Sequence, residues 1–461
     1  MLEVTQTYKN KISAPSRRII PKVDMYFDGD DMPPTQFDKT KISALELLEE
    51  TQAESSSPLG ALSSNELVLS LDNTGYVFTP TNINSPYHDK LHPGILVEPF
   101  LGLEIEEDVF EYVPLGKFRT GDWVAPANSL ECYTICRDWF QEMCERDMPS
   151  LPVMLNTTIA EMFRALFYAL GLTDDDFEID PNINTPVKIG WFSTGKVREG
   201  LQELAADCVV IATRRGKIRV HSHSTIAEAV TTIDDRTQIF HAELPQQHLK
   251  TYSQVDIEYY TPTIEEDENE LISLGEIEVP TGDFTISNIV FEKSPAVYVS
   301  QVILQNAVNT SVVGFTYGSH RIDLVLHNAS IPEKVSICIR GKAVNIVSNI
   351  YTVEDASLLE LIGRKTLKLR TPFIQSTEDV HLYADRILTL VTDPSAYLTA
   401  ELRGDPALEL TDIIIIDDPS ERINNLEVLP IRFNIKYDGG AMSMSLVAIK
   451  KTSKASPVGG E

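Results

Sequence analysis

Residues 65–73 read Asn-Glu-Leu-Val-Leu-Ser-Leu-Asp-Asn. Leu67, Leu69 and Leu71 recur at every second position, and side chains with this spacing lie on one face of a β-strand. The sequence Asp-Asn-Thr-Gly that follows at 72–75 is typical of a turn. The stretch therefore predicts a strand that buries one face and then ends, which favours a fold built on β-sheet.

Short strand patterns continue on both sides of this stretch. They are separated by segments rich in Gly, Pro, Asn and Asp, which is typical of an antiparallel barrel or sandwich. We predict one β domain over residues 18–146, preceded by a polar, basic arm at 1–17 that orders against a partner. The other strands predicted in this domain lie at 19–27, 94–104, 109–118 and 129–136.

A helical pattern marks a change of structure after the first domain. Apolar residues repeat at helical spacing over 159–170, two threonines precede them as candidate caps, and Gly171 follows where a helix-ending glycine belongs. A second short helix is predicted over 197–205, followed by a tight hairpin over 208–221. We therefore predict a small α/β domain at 147–240.

The last part of the chain combines strand patterns with one long helix. Segment 271–350, which follows an acidic run at 265–270, is rich in Val, Ile, Thr and Ser and has almost no helical spacing, so we predict a β insertion at 263–350. We predict that 241–262 and 351–450 form a second β/α domain around it, and that 451–461 is a flexible tail. The expected fold class is mainly β with α/β parts, in several domains.

The charge balance excludes some functions. The chain has 39 basic and 68 acidic residues and a formal net charge of −29, which argues against general binding to nucleic acid because phosphate contacts need clustered Lys and Arg. No window approaches 18 consecutive apolar residues, so we expect no membrane-spanning segment. The five cysteines are too few and too scattered to predict a disulfide framework.

The sequence contains none of the common local motifs of enzymes. Phosphate-binding loops, dinucleotide-binding glycine patterns, the nucleophile elbow and the zinc-protease helix are all absent. Cys132 and Cys136 share one face of a predicted strand and are expected in the core. His221 and His223 also share a face, but no third ligand is nearby in sequence, so we expect surface histidines. We predict no catalytic, cofactor-binding or metal-binding residues, no cofactor and no enzymatic activity.

Several stretches resemble the baseplate or tail hub proteins of tailed phages and related contractile injection systems. They include 65–73, the Tyr-Val-Pro-Leu-Gly-Lys-Phe sequence at 112–118, and Gly-Asp-Pro-Ala-Leu-Glu-Leu-Thr-Asp at 404–412. The third is similar to a hub motif in which a Gly-Asn-Pro turn leads to a Leu-Glu-Leu-Gly-Asp strand, with Asp405 and Thr411 as departures. The matching stretches lie within 60–240 and 355–450, whereas the insertion has no such resemblance.

The resemblance implies a structural virion protein located in the tail baseplate and assembled in the host cytoplasm. Hub proteins are homotrimers in which each protomer carries two antiparallel β-barrel domains similar to tail-tube subunits. Here those domains would be 18–146 and the domain formed by 241–262 and 351–450. The trimeric ring joins the sixfold tail tube to the threefold central spike, contacts baseplate wedge and tape-measure proteins, and leaves a channel through which DNA passes without specific binding.

Two other functions are compatible with the sequence. The insertion could make the protein a receptor- or carbohydrate-binding tail tip, although most of its aromatic residues are expected in the core. A tail-associated cell-wall hydrolase is the second alternative, although the insertion lacks His/Cys or His/Asp spacing suited to hydrolysis. Glycan binding supports the first alternative, and cell-wall digestion supports the second.

Overall fold

A computed structural model describes residues 1–51, 62–63, 65–205, 208–222, 228–234, 238–245, 251–393 and 397–451. The helices in this part of the chain are α1 (Gln6–Ile12), α2 (Trp139–Cys144), α3 (Ile159–Ala169), α4 (Val197–Leu204), α5 (Ala356–Ile362) and α6 (Thr377–Thr392). No described helix has both the length and the apolar composition needed to cross a membrane.

Most of the described chain is β-strand. The strands before residue 250 are β1 (Ile19–Tyr26), β2 (Thr35–Asp38), β3 (Ile42–Glu50), β4 (Glu66–Asp72), β5 (Leu96–Glu106), β6 (Val109–Pro114), β7 (Phe118–Val124), β8 (Glu131–Asp138), β9 (Met154–Thr158), β10 (Phe177–Ile179), β11 (Pro186–Gly190), β12 (Cys208–Ala212), β13 (Ile218–Ser222), β14 (Ala229–Asp234) and β15 (Ile239–Glu243). The later strands are β16 (Gln254–Ile264), β17 (Asn269–Val279), β18 (Gly282–Val290), β19 (Ala296–Gln305), β20 (Thr310–Tyr317), β21 (Arg321–Asn328), β22 (Glu333–Glu354), β23 (Thr366–Thr371), β24 (Tyr397–Leu402), β25 (Ile413–Asp418), β26 (Ile423–Tyr437) and β27 (Met442–Lys450). The expected fold class, mainly β with α/β parts, is confirmed.

One 14-stranded sheet contains strands from both ends of the chain. Its main path has the order β15-β24-β27-β26-β3-β4-β8-β7-β5-β1-β2, with β6 beside β5 and β25 linking β14 to β26. A single row of cross-strand partners runs through its buried face and shows that one core serves the whole sheet. The row consists of Leu402, Met444, Ile435, Leu47, Leu67 and Cys136, each at most 1% exposed.

The seam of this sheet is the antiparallel pairing of β3 with β26. It runs from Arg432 opposite Glu50 to Tyr437 opposite Leu45, so it joins strands about 390 positions apart in the chain. On the exposed face, Lys436 and Asn434 each contact the carboxylate of Glu46 at 2.9 Å. The two ends of the chain are therefore fixed to each other by a continuous backbone ladder.

The α/β part packs around α3, as its sequence predicts. Thr158 caps the helix and forms a capping box with Glu161, which satisfies two N–H groups of the first turn. Gly171 follows the helix with φ +87°, a conformation that favours glycine. The hairpin β12–β13 pairs antiparallel, and β10 adds to it in parallel. These elements share a core that includes Phe163 and Phe167.

The insertion has its own core between two small sheets. One sheet pairs β17 and β19 with the first half of β22, and the other has the order β18-β21-β20. The second half of β22 pairs instead with β16, and β23 adds to β16 in parallel. Helix α6 covers one face of this last group through buried residues that include Val380 and Ile387.

Two segments differ from the structure that their sequences predict. The arm at 1–17, expected to order against a partner, forms α1 on this chain's own surface because Tyr8 is fully buried there. Within 404–412, where the hub motif implies a strand, Leu408 and Leu410 are buried in irregular backbone and turns, and β25 begins only at Ile413. The predicted flexible tail lies outside the described residues except for Lys451.

Candidate functional site

The described cysteines are packing residues. All five are free and buried, which confirms the expectation for Cys132 and Cys136. Burial raises the pKa of Cys136 to about 12, so its thiol is neutral at physiological pH. A neutral thiol is a poor nucleophile, and the cysteines therefore contribute apolar volume rather than chemistry.

His221 lies beside a carboxylate instead of on an open surface. Its Nδ1 atom is 3.5 Å from Asp180 Oδ2, and its side chain is 17% exposed. Burial lowers the pKa of His221, and the nearby Asp180 only partly opposes this effect. His223 lies outside the described residues. In the part of the chain that the structure describes, no group of three or more His, Cys, Asp or Glu side chains could hold a metal ion.

The insertion contains a Ser, His and Asp row that no local sequence motif indicated. Asp283, His327 and Ser311 are cross-strand neighbours on β18, β21 and β20, and His327 Nδ1 is 2.7 Å from Asp283 Oδ1. The two side chains are 47% and 79% exposed, for His327 and Asp283 respectively. Among the described residues, no hydrogen bond joins Ser311 to His327. The row thus lacks the nucleophile–base contact and the exclusion of water that a hydrolytic triad uses.

The most distinctive polar group is a buried ion pair beneath the seam of the large sheet. Glu49 shares the inward face of β3 with Leu47, and Arg214 lies in the turn between β12 and β13. Arg214 Nε donates to the two carboxylate oxygens of Glu49 at 2.9 and 3.1 Å, and Nη2 also donates to Glu49. The residues are only 2% and 3% exposed. The pair therefore attaches the α/β part to the central sheet.

Acidic groups around Arg214 stabilise the charge of its buried guanidinium. Burial is the largest single effect and opposes the charge on Arg214, but the attraction and hydrogen bonds of Glu49, together with the nearby Glu409 and Asp412, outweigh it and raise the pKa of Arg214. The guanidinium also donates through Nη1 to the carbonyl of Pro406. Charged groups this deeply buried require such partners, since an unpaired charge in the interior is strongly destabilising.

The loop at 403–412 is the third member of this site. Arg17 donates to the carbonyls of Arg403 and Gly404, the latter at 2.6 Å. The Tyr8 hydroxyl donates to Asp405 at 3.1 Å, and the Ala407 N–H donates to the same oxygen at 2.9 Å. We call Glu49, Arg214, Tyr8, Arg17 and the 403–412 loop the buried junction. It joins the N-terminal arm, β3, the hairpin turn and the loop before β25.

Two residues in this loop show why its composition is restricted. Burial raises the pKa of Asp405, although the Ala407 N–H, Tyr8 and two arginines favour its charged form. Gly404 has φ +82°, and a Cβ atom added there would lie 2.6 Å from Met444 Cβ. Gly404 is therefore required both by its backbone conformation and by its close approach to β27.

A second polar contact joins the first β strands to the hairpin. Asp138, at the end of β8, accepts from the Gln141 N–H at 2.8 Å and from the Asn65 N–H at 3.0 Å. Asn65 donates from Nδ2 to the Ala212 carbonyl at 3.4 Å, while Ser63 Oγ accepts from the Ala212 N–H at 3.2 Å. Burial raises the pKa of Asp138 to about 6. The segment before β4 thus contacts β12 directly.

The buried junction holds segments in place and carries no catalytic arrangement. The carboxylates of Glu49 and Asp405 are engaged by arginine, tyrosine or backbone N–H groups. The 404–412 stretch stands out in the sequence, whereas Glu49 and Arg214 do not and were missed. The sequence did contain one signal. Glu49 continues the alternating pattern of the inward-facing Leu45 and Leu47, and a glutamate at a buried position requires either a buried cation or a protonated carboxyl group.

No protein-family model matches the chain, and no curated protein matches it. Solved structures do. The 43 kDa tail protein of prophage MuSo2 from Shewanella oneidensis is 9% identical, with a TM-score of 0.51 over 94% of this chain and 98% of its own. The tail protein from Neisseria meningitidis MC58 is 9% identical, with a TM-score of 0.53 over 94% and 97%. This chain has the fold of these tail proteins.

The tail-protein fold extends over almost the whole chain. The sequence resemblance was limited to 60–240 and 355–450, which leaves out the arm and most of the insertion. The structural alignment covers 94% of the chain. The resemblance to phage tail proteins is thereby confirmed for the fold. At 9% identity the similarity lies in architecture and not in conserved side chains.

Proposed function

We propose that the protein is a non-enzymatic structural component of a phage-type tail, at its baseplate or hub. The observation that carries this proposal is the tail-protein fold, which spans the large sheet, the α/β part and the insertion. The buried junction supports the same role, because it fixes distant segments to one another with charged and polar contacts. Rigid positioning of surfaces is what an assembly subunit requires.

The arrangement of the large sheet fits two tube-like units in one protomer. Strands β1–β8 form its N-terminal half, and β24–β27 with β14 and β15 form its C-terminal half, joined at the seam. In the proposed homotrimer, three copies supply six such units around a central channel, between a sixfold tail tube and a threefold spike. The domain division at 18–146 and at 241–262 with 351–450 remains part of this proposal, and β16 and β23 pair in a separate sheet.

The net charge of −29 is compatible with a channel for DNA. Acidic side chains that line such a channel would repel phosphate and prevent the DNA from binding as it passes. Tail tube, spike, baseplate wedge and tape-measure proteins are the proposed partners, and the tail baseplate of the virion is the proposed location.

Light scattering on the purified protein tests this proposal. A homotrimer has three times the protomer mass of 51.5 kDa, and electron microscopy of that species should show a ring with an open centre. A trimer without an open centre would contradict the channel but not the oligomeric state. A monomer at every concentration would contradict the self-assembled hub.

A receptor-binding role for the insertion is the second candidate. The insertion has its own core, and β20 exposes 63% of Val313 and 37% of Phe315 on its surface. Exposed apolar groups beside polar strands can contact the apolar faces of sugars. Glycan-array binding by the full chain, lost in Phe315→Ala, would support this role. Digestion of purified cell wall by the protein would instead support the hydrolase.

A further inference from the structure

Strand β22 is paired on both sides in its first half and on one side in its second half. Residues 333–341 pair with β17 and 336–343 with β19, so 336–341 lie between the two strands. Residues 344–354 pair with β16 and, among the described residues, with no strand on the opposite side. The register with β16 continues without a bulge from Gln254 opposite Glu354 to Ile264 opposite Val344. The second half of β22 therefore has a long, regular free edge.

Hydrogen bonds at the start of this half show which backbone groups face the free edge. The Ala343 carbonyl accepts from the Glu265 N–H at 3.0 Å on the β16 side, and the Val344 N–H donates to the Pro295 carbonyl at 2.8 Å on the opposite side. Peptide groups alternate in direction along a strand. The N–H and C=O groups that point towards the free edge are those of Ile346, Ser348, Ile350 and Thr352.

Up to Glu354 at its end, this free edge lacks the charges, prolines and bulges that keep natural edge strands from pairing. Residues 344–353 read Val-Asn-Ile-Val-Ser-Asn-Ile-Tyr-Thr-Val, without charge or proline, in a chain that is 23% charged. Edge strands are usually protected by Lys, Pro, bulges or short length. Val347 is 48% exposed and Ile350 is 71% exposed. An edge of this composition is suited to pair with another strand.

The same small sheet has a second free edge on its opposite side. Its order is β22–β16–β23, and β23 pairs with β16 alone among the described strands. Because β16 is antiparallel to β22 and parallel to β23, the two outer strands run in opposite directions. Strand β23 of one copy can therefore pair antiparallel with β22 of another. Contacts between two different edges are heterologous, and such contacts can close into a ring of three.

The distribution of charge favours a second copy of this chain as the partner that pairs with the free edge of β22. Residues 361–375 contain two lysines and two arginines and no acidic residue, although the whole chain carries a net charge of −29. Most contacts between two acidic copies would bring carboxylates together and repel. Pairing β23 with β22 instead places Lys368 and Arg370 beside an uncharged strand, so it avoids that repulsion.

We propose that β23 of one copy pairs with the free edge of β22 in the next copy and that this strand pairing holds the protomers together. The inference rests on the homotrimer of the proposed function and names its contact. Three such contacts join three copies into one ring.

Substitutions at Ile350 test the pairing. Its N–H faces the free edge, so Ile350→Pro removes no hydrogen bond within the chain but blocks an incoming strand. Ile350→Lys keeps the N–H and adds a charge of the kind that protects natural edges. Ile331→Lys is the matched control, because Ile331 is also 71% exposed but lies in the loop between β21 and β22. Circular dichroism and thermal melting establish that each variant is folded.

Light scattering across a concentration series gives the outcome. We expect the wild type and Ile331→Lys to be trimers and both Ile350 variants to trimerise at least tenfold more weakly. If Ile350→Pro does not fold, Ile350→Lys decides. Trimers in all variants, or equal weakening in the control, would overturn the strand pairing while leaving the proposed trimer intact. A monomeric wild type would overturn both.

Discussion

Arg214 and Glu49 form an ion pair that is almost fully buried and joins two parts of the chain that are 165 residues apart. The guanidinium comes from a hairpin turn of the α/β part and the carboxylate from the inward face of β3. Strand β3 also forms the seam with β26. The ion pair therefore acts at the point where the α/β part and both halves of the large sheet meet.

Removal of one member of this pair is expected to be costly. Arg214→Met leaves the Glu49 carboxylate buried without its cation, and the free energy of unfolding should fall by roughly 3–5 kcal/mol. The free energy of unfolding of the double variant Glu49→Leu/Arg214→Met should fall by less than the sum of the decreases in the two single variants, because neither charge remains. Urea denaturation of all four proteins measures the coupling. Additive losses would show that the two side chains act independently.

The burial of Asp138 predicts a dependence of stability on pH. Its pKa is about 6 in the folded protein and 3.8 as the ordinary value, so its contribution is complete below about pH 4 and is lost as the pH rises through 6. The free energy of unfolding of Asp138→Asn, measured relative to the wild type, should rise by on the order of 2–3 kcal/mol between pH 4 and 7. Denaturant unfolding at both pH values measures this difference.

Asp30 provides the control of opposite sign. A hydrogen bond from Arg119 lowers the pKa of Asp30, so its contribution is present above its ordinary pKa and is lost as the pH falls. Asp30→Asn should therefore lose stability relative to the wild type as the pH rises towards about 4, and should change little between pH 4 and 7, where Asp138 acts. Equal trends for the two variants would contradict the role of burial at Asp138.

Gly404 is expected to tolerate no side chain. Gly404→Ala places a Cβ atom at φ +82° and 2.6 Å from Met444 Cβ, which should destabilise the protein by about 1–3 kcal/mol. Gly440 has open space where a Cβ atom would lie and no positive φ, so Gly440→Ala should be nearly neutral. Thermal unfolding compares the two. A neutral Gly404→Ala would mean that the loop moves away from β27 at little cost.

The N-terminal arm is predicted to contribute to the stability of this chain itself. Tyr8→Phe removes the hydrogen bond to the buried Asp405 and should lower the free energy of unfolding by about 1–2 kcal/mol. Tyr76→Phe, at a side chain that is 56% exposed, should change it little. If the arm ordered only against a partner, the two variants would unfold alike in the isolated protein.

Local patterns in the sequence identified the elements whose neighbours are close along the chain. Leu67, Leu69 and Leu71 predicted β4, and all three are fully buried. The helical repeat and its threonine cap predicted α3, because capping and amphipathic spacing are properties of one short segment. The hairpin β12–β13 followed in the same way from its turn residues.

The seam and the buried junction had no such local signal. The sequence of β3, Ile-Ser-Ala-Leu-Glu-Leu-Leu-Glu-Glu, is rich in residues that favour helices, and it is a strand because β4 and β26 pair with it on both sides. Glu49 meets Arg214 only after distant segments have folded together. Only when β3 is known to be a strand, and its register is known, can the side chain of Glu49 be assigned to the inward face.

Strands β16 and β22 also decide how the insertion enters and leaves the protein. Ile264 and Val344 flank the part of the insertion that has its own core, and they are direct partners on adjacent antiparallel strands. Partners of this kind have Cα atoms about 5 Å apart, so a short hairpin turn is long enough to replace everything between them. Its removal would also open contacts with the α/β part: the hydrogen bonds of Ser319 with Leu151 and Phe192, that of Arg321 with the Met148 carbonyl, and the packing of Val297 on the α/β core. The backbone geometry at this point is therefore compatible with exchange of the insertion for a short turn or another domain, with the pairing of β16 and β22 retained.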